Sequence, residues 1–302
     1  FVQDEISLFG DDMTLLLGAR GDRHSAIDSI IVSPRASLLY KGFRNFSLRA
    51  TVSSGFRAPQ VYDEDLHINL VNGMGQRIVN RDGLKEEKSR SYTLGIDFGK
   101  QACNKLYQFS IGAFHNRIDN VFTLVEIEPL PNTAVFERFN GPGARVYGFE
   151  AEAGFKWAGI FEIFTDWTLQ KSELDEPEPD FGCQEIFRSP GLYGSLRMEW
   201  KAFGLMDIHL DVNYTGSMKV PHFAGYIAED KLETTDPFWV ANFSIRKEIA
   251  VGKDRFLVLS ASLFNIFDSF QGDMDRGMFR DSTYIYGPRI PRTFQCGIKY
   301  NF

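Results

Sequence analysis

No apolar run in this chain approaches the roughly 18 residues that a membrane-crossing helix needs. That excludes a helical membrane protein and leaves a barrel untouched, because a barrel strand turns only alternate residues to lipid. The three cysteines, Cys103, Cys183 and Cys296, lie far apart without metal-ligand spacing, so neither a disulfide framework nor a cysteine metal site is expected. Five dispersed histidines (His24, His67, His115, His209, His222) offer no paired ligand or nucleophile spacing. The net charge is -7 and is scattered, which excludes a general attraction for nucleic acid. The chain begins Phe1-Val2-Gln3-Asp4, already reading as a strand, so the natural N-terminus is expected upstream.

What the chain does have is aromatic weight, 28 Phe and 11 Tyr, and a dominant alternation of period two. In the clearest segment Met206, Ile208, Leu210, Val212 and Tyr214 fall on one face, with Asp207, His209, Asp211, Asn213 and Thr215 on the other. A helix would smear these charges around its whole circumference. The same sorting separates Leu196, Met198 and Trp200 from Ser195, Arg197 and Glu199, and Tyr92, Leu94, Ile96 and Phe98 from Ser91, Thr93 and Asp97. Strands of a soluble sandwich average about five or six residues. These run to about ten or more, the length that crosses a bilayer at a tilt. Phe46–Val52 and Trp239–Ile245 repeat the pattern.

Connections alternate as well. Short turns are predicted at Gly10–Asp12, Lys41–Arg44, Lys100–Asn104, Lys156–Gly159, Ala202–Gly204 and Val251–Lys253. Long loops are predicted at Gly55–Lys88, Ser172–Pro190, Ser217–Pro237 and Asp268–Pro291. Outer-membrane barrels keep short turns in the periplasm and long loops outside. Two very long strands, Leu106–Ile127 and Ala134–Phe155, are expected around Glu128-Pro129-Leu130-Pro131. The fold class is therefore all-β, a transmembrane antiparallel barrel with about thirteen strands in this chain. An odd count places the two chain ends on opposite sides of the membrane. Residues 1–302 then read as the C-terminal portion of a larger barrel.

Specific segments carry a family resemblance. The chain ends Thr293-Phe294-Gln295-Cys296-Gly297-Ile298-Lys299-Tyr300-Asn301-Phe302, with Phe294, Ile298, Tyr300 and Phe302 on one face. This resembles the terminal strand by which the barrel assembly machinery recognises its clients. Ser53-Ser54-Gly55-Phe56-Arg57-Ala58-Pro59, Tyr147-Gly148-Phe149-Glu150-Ala151-Glu152, Leu263-Phe264-Asn265-Ile266-Phe267-Asp268 and Tyr286-Gly287-Pro288-Arg289-Ile290-Pro291-Arg292-Thr293 resemble segments of TonB-dependent outer-membrane receptors. The resemblance is closest to the ferric-siderophore, colicin and vitamin B12 receptor group. It implies a barrel of about 22 strands plugged by an N-terminal domain, with the plug and roughly nine strands outside this chain. It also implies energy coupling through the TonB protein, which acts on a short box ahead of the plug.

The resemblance makes uptake of a scarce ligand the leading function, a ferric siderophore first and a cobalamin-like cofactor second. A passive diffusion porin, or a structural barrel fragment without activity, remains open on the residues alone. Ligand contacts are expected in the outer loops, where aromatic rings give contact area at little ordering cost. The candidates are Tyr62 and His67 in the first loop, His222, Phe223 and Tyr226 in the next, and Phe279, Tyr284 and Tyr286 in the last. Arg57 and Arg280 add charge for an anionic ferric complex. No catalytic constellation, metal site or cofactor is expected. Gln271-Gly272-Asp273-Met274-Asp275-Arg276-Gly277 has only a faint likeness to a calcium loop and lacks its terminal glutamate.

Overall fold

The computed structural model describes every residue except Asp11, Ala26, Asp28, 60–74, Asn132, Asp254 and Phe302. Among the described residues there is no helix. The frame is one antiparallel sheet of thirteen strands. In chain order the strands are β1 (Val2–Leu8), β2 (Met13–Asp22), β3 (Ile31–Phe43), β4 (Phe46–Arg57), β5 (Gly75–Asn80), β6 (Glu87–Ala102), β7 (Lys105–Asp119), β8 (Phe122–Leu130) and β9 (Thr133–Asn140). They continue as β10 (Ala144–Trp157), β11 (Phe161–Leu174), β12 (Leu192–Ala202), β13 (Met206–Thr215), β14 (Lys219–His222), β15 (Lys231–Thr234), β16 (Phe238–Gly252), β17 (Arg255–Phe264) and β18 (Thr293–Asn301). The sheet runs as a meander from β1 to β18, leaving β5, β8, β9, β14 and β15 outside it.

Every short connection falls on one rim and every long one on the other, as the turn chemistry of the sequence requires. The short turns use residues in the left-handed region, among them Gly10, Asn45, Cys103, Gly159 and Gly204. Tight hairpins need that conformation to match the strand twist. The opposite rim carries connections 58–86, 120–143, 175–191, 216–237 and 265–292.

The register keeps one apolar face continuous. Leu48 opposes Ile96, Ile96 opposes Ile111, and Ile111 opposes Ala151. Further along, Met198 opposes Leu210, Leu210 opposes Phe243, Phe243 opposes Leu263, and Leu263 opposes Phe294. Leu94, Phe109, Phe149, Phe294 and Ile298 stand exposed on that face, as a lipid-facing wall requires. The other face is a polar lattice. Asp97 accepts from Ser110 at 2.8 Å and from Ser47 at 3.4 Å. Asp211 accepts from Asn213 at 2.7 Å and Asn242 at 3.3 Å, and Lys156 pairs with Glu162 at 2.7 Å. Buried apolar clusters lie under the outer connections instead of inside the sheet. One joins Ile27, Ile31 and Ala58, another Met218, Val220 and Tyr284.

The two very long strands expected between residues 106 and 155 are each broken. Asn120 adopts φ 61°, and Gly141-Pro142-Gly143 interrupts the return. A Cβ at Gly141 would lie 2.1 Å from Thr123 Oγ1, so a larger residue there would force the Thr123 side chain to move. The outer pieces, β8 and β9, swing out of the main sheet and form a three-stranded sheet with β5. Asn140 clamps the break, accepting from the Lys85 amide and donating to the Lys85 carbonyl, both at 2.8 Å. Alternation alone could not reveal it, because the period is the same on both sides of the break.

Candidate functional site

Three of the long connections interlock above the apolar-face strands β11–β17. His222, at the end of β14, places Nε2 3.0 Å from both carboxylate oxygens of Asp275. Its ring stacks on Tyr284 at 3.7 Å with 5° between planes. The Tyr284 and Tyr286 hydroxyls donate to Asp273 at 2.7 and 2.8 Å. Asp281 accepts from the Phe223 amide at 3.0 Å and from the Thr283 amide and hydroxyl. Gln271 accepts from the Tyr286 amide and donates to the Tyr284 carbonyl. Arg188, from the connection 175–191, donates to the carbonyls of Thr283 at 2.6 Å and Ile285 at 3.2 Å. Phe181, Phe187 and Phe223 complete the contact between connections.

The electrostatics follow from this packing. Burial pushes the Tyr284 and Tyr286 phenols well up, and their bonds to Asp273 push in the same direction. Burial works against the charged form of Asp273, but the hydrogen bonds it accepts, those of the Tyr284 and Tyr286 phenols first, together outweigh it and hold the carboxyl below its ordinary range. Both acidic residues of the calcium-loop-like segment, Asp273 and Asp275, are turned to side chains of the lock. No group of three or more metal-ligating side chains occurs among the described residues.

The candidates named from sequence therefore separate. Tyr284 is 3% exposed and His222 5%, so both hold connections together and present little surface to a ligand. Tyr286 is half-buried beside them. Phe223, Tyr226 and Phe279 are exposed at the rim. Arg280 is exposed and donates to the Gly277 carbonyl at 2.8 Å. Arg57 pairs with Glu87 at 3.4 Å and lies over the Phe122 ring, on the far side of the rim. Phe294, Ile298 and Tyr300 share the apolar face of β18 through partners Leu263, Leu259 and Leu257. Tyr62, His67 and Phe302 lie outside the described residues.

Sequence reasoning missed an inward crevice of about 580 Å³ beneath Arg188, bordered by Asp166, Gln170, Tyr193, Ser195 and Asn213. Asp166 accepts from Ser195 and stands directly opposite Glu152 across the β10–β11 ladder. Like charges opposed across a ladder destabilise a pair, and here both acids sit on the inward polar face. Period two did place these residues inward. What joins them to Arg188 is the fold of connection 175–191, which carries no period.

Strand length, alternating faces and a rim of long connections define a transmembrane β-barrel. The chain belongs to the TonB dependent receptor-like, beta-barrel family, whose model matches residues 1–266. That membership places it in the bacterial outer membrane. An iron-regulated outer membrane virulence protein of Vibrio cholerae serotype O1 is 24% identical over 289 residues, covering 93% of this chain and 42% of the relative. The chain thus spans less than half the length of that relative. The siderophore receptor PirA of Acinetobacter baumannii matches with a TM-score of 0.70 at 19% identity, covering 99% of this chain and 45% of that one. The ferric enterobactin receptor of Pseudomonas aeruginosa matches with a TM-score of 0.67 at 19% identity, covering 98% of this chain and 43% of that one. These structures share the fold.

Proposed function

We propose that this chain is the C-terminal portion of the barrel of an active outer-membrane importer, and that the complete receptor captures a ferric siderophore and takes it up with TonB-coupled energy. The observation that carries the reading is the interlocked outer rim over a polar inward wall, in a chain whose relatives include an iron-regulated outer membrane protein and siderophore receptors. A rim held by hydrogen bonds between its own connections can present aromatic rings without ordering them anew on each capture. Its own N-terminal plug would pack against the inward lattice, and outer-membrane lipid against the apolar face. A cobalamin-like cofactor is the second ligand class. The exposed rings Tyr226 and Phe279, with Phe223, make the first contacts; Tyr284, Tyr286 and His222 hold them in place.

The test uses the full-length receptor in cells, with radio-iron chelates as ligands. Alanine at Tyr226 and Phe279 together is expected to weaken binding at least tenfold, about 1.4 kcal/mol. Uptake is expected to stop when the TonB protein is removed. Uptake that continues without TonB identifies a passive porin, and unaltered binding in the double variant removes the rim from the capture site.

A further inference from the structure

On β10 the apolar face runs from Trp157, at the short-turn rim, through Phe155, Ala153, Ala151 and Phe149 to Tyr147 without a charge. The ten steps from Trp157 to Tyr147 cover about 33 Å along a strand. At a tilt of about 40° that is about 25 Å of height, the apolar band of an outer-membrane barrel. Both ends of the band are aromatic. At the lower end Lys105 Nζ lies over the Trp157 ring at 5.2 Å. At the upper end the His115 ring lies between Tyr92 and Tyr147, at 6.2 and 6.1 Å. The row Tyr92, His115, Tyr147 therefore marks the level where hydrocarbon gives way to headgroups.

One row further out on the same face the side chains turn cationic. Arg90 opposes Arg117, and Arg117 opposes Arg145. Lys171 stands opposite Tyr147 on β11. Like charges directly opposite each other destabilise a sheet, so folding alone does not favour three guanidinium groups in line. Carboxylates offset the repulsion, but they are recessed and shared. The Glu173 side chain is 14% exposed and serves both Arg145, at 3.0 Å, and Lys171, which are 49% and 59% exposed. Asp119 serves Arg117 at 3.1 Å and Arg90 at 3.4 Å, and the Arg90 side chain is 62% exposed. Arg117 is engaged with Asp175 as well. A guanidinium has five N–H donors and an ammonium three, so Arg90, Arg145 and Lys171 keep donors beyond those their shared carboxylates occupy. Glu185, opposite Glu173, bounds the row on the side of β12.

We propose that this row is a docking surface for lipid A, the phosphorylated glycolipid of the outer leaflet, with a lipid phosphate at Arg90, Arg145 and Lys171 and acyl chains against Leu94, Phe149 and Leu169. The occupant follows from charge and continuity. The chain lies in the bacterial outer membrane, and the three cations stand on its lipid face, next to the aromatic girdle. Phosphate oxygens accept strong, charge-assisted bonds from guanidinium and ammonium groups. Directly below, Leu94, Phe149 and Leu169 are exposed on the same face, where Ala113 opposes both Leu94 and Phe149, and Phe149 opposes Leu169. Hydrocarbon covers such side chains at a gain that water does not offer.

The double variant Arg90→Gln, Lys171→Gln removes two of the cations. It leaves Glu173 with Arg145 and Asp119 with Arg117, so no recessed carboxylate is stranded. The full-length receptor, purified and delipidated in detergent, is incubated with bisphosphoryl lipid A, with the same lipid stripped of its phosphates, or with phosphatidylglycerol, and read by native mass spectrometry. Wild type is expected to retain bisphosphoryl lipid A at least tenfold more than the stripped lipid and at least fivefold more than phosphatidylglycerol. The double variant is expected to lower retention of bisphosphoryl lipid A at least tenfold, while Arg90→Lys with Lys171→Arg keeps it. Lys105→Gln, at the lower girdle, is expected to leave it unchanged. Heat modifiability verifies the folded barrel of each variant. Lys171→Gln alone, with an expected loss of at least threefold, replaces the double variant if that one does not fold. Equal retention by wild type and the folded variant overturns the site. An equal loss in Lys105→Gln overturns its place at the outer level. Phosphatidylglycerol retained as well as lipid A overturns the glycolipid as occupant.

Discussion

The outer rim is built in two different ways. On the side of β6–β10 the extension is a sheet: β9 pairs with β8 antiparallel and with β5 parallel, through backbone ladders. On the side of β11–β18 the extension is a side-chain lock, in which His222, Asp275, Asp273, Tyr284, Tyr286 and Arg188 bind three connections together. The first kind of rim depends on peptide groups that every residue carries. The second depends on a few side chains, His222, Asp275 and Tyr284 the most buried of them, each with a definite partner. A ladder loses little when one side chain changes, whereas a lock leaves a buried group unpaired. The lock also contains groups that titrate, and peptide groups do not.

Removing Asp275 tests this difference most severely. The Asp275 side chain is 1% exposed and the His222 side chain 6%, so Asp275→Ala strands a buried imidazole. Breaking one partner of such a pair costs about 3 kcal/mol. Hydrogen exchange across β14, β15 and 281–287 is expected to accelerate about a hundredfold, with β8 and β9 unchanged. Equal protection in both extensions after this change would remove the distinction.

Alkali sharpens the comparison further. The lock binds Tyr284 and Tyr286 as neutral phenols, with their pKa raised first by burial and then by Asp273. A raised pKa gives a contribution that is complete below the unfolded value, about 10, and is lost as pH rises through the folded value. Protease cleavage within 265–292 is therefore expected to begin only above about pH 10. The β8–β9 hairpin is expected to stay resistant over the same range. Tyrosinate absorbance should show two late-titrating phenols that disappear in the double variant Tyr284→Phe, Tyr286→Phe. Early titration of both would show that they are not held by Asp273.

The smallest effect is expected in the ladder. Arg81 pairs with Glu137 across the β5–β9 side, and the Arg81 side chain is half-exposed. Exposed pairs contribute less than about 1 kcal/mol. Arg81→Ala should leave exchange in β5, β8 and β9 nearly unaltered, and a loss as large as that of Asp275→Ala would show that side chains also hold this half.

Period two determined which side of the wall each strand residue occupies. Leu210 and Asp211 face opposite ways whatever their neighbours, because successive side chains of a strand alternate. The same signal, with short turns and long connections, determined the thirteen strands of the main sheet, the separation of short turns from long connections on opposite rims, and the apolar face of β18. It did not place the break at Asn120, since the alternation continues past it. Nor did it separate rings that contact ligand from rings that pack, since Tyr226 and Tyr284 look alike in a loop. That distinction was decided by contacts between distant segments: His222 meets Asp275 across 53 residues, and Arg188 meets the Ile285 carbonyl across 97. No local period encodes a partner so far along the chain, and only the meander of the sheet, which brings the ends of β11, β13 and β17 onto one rim, determines which groups meet.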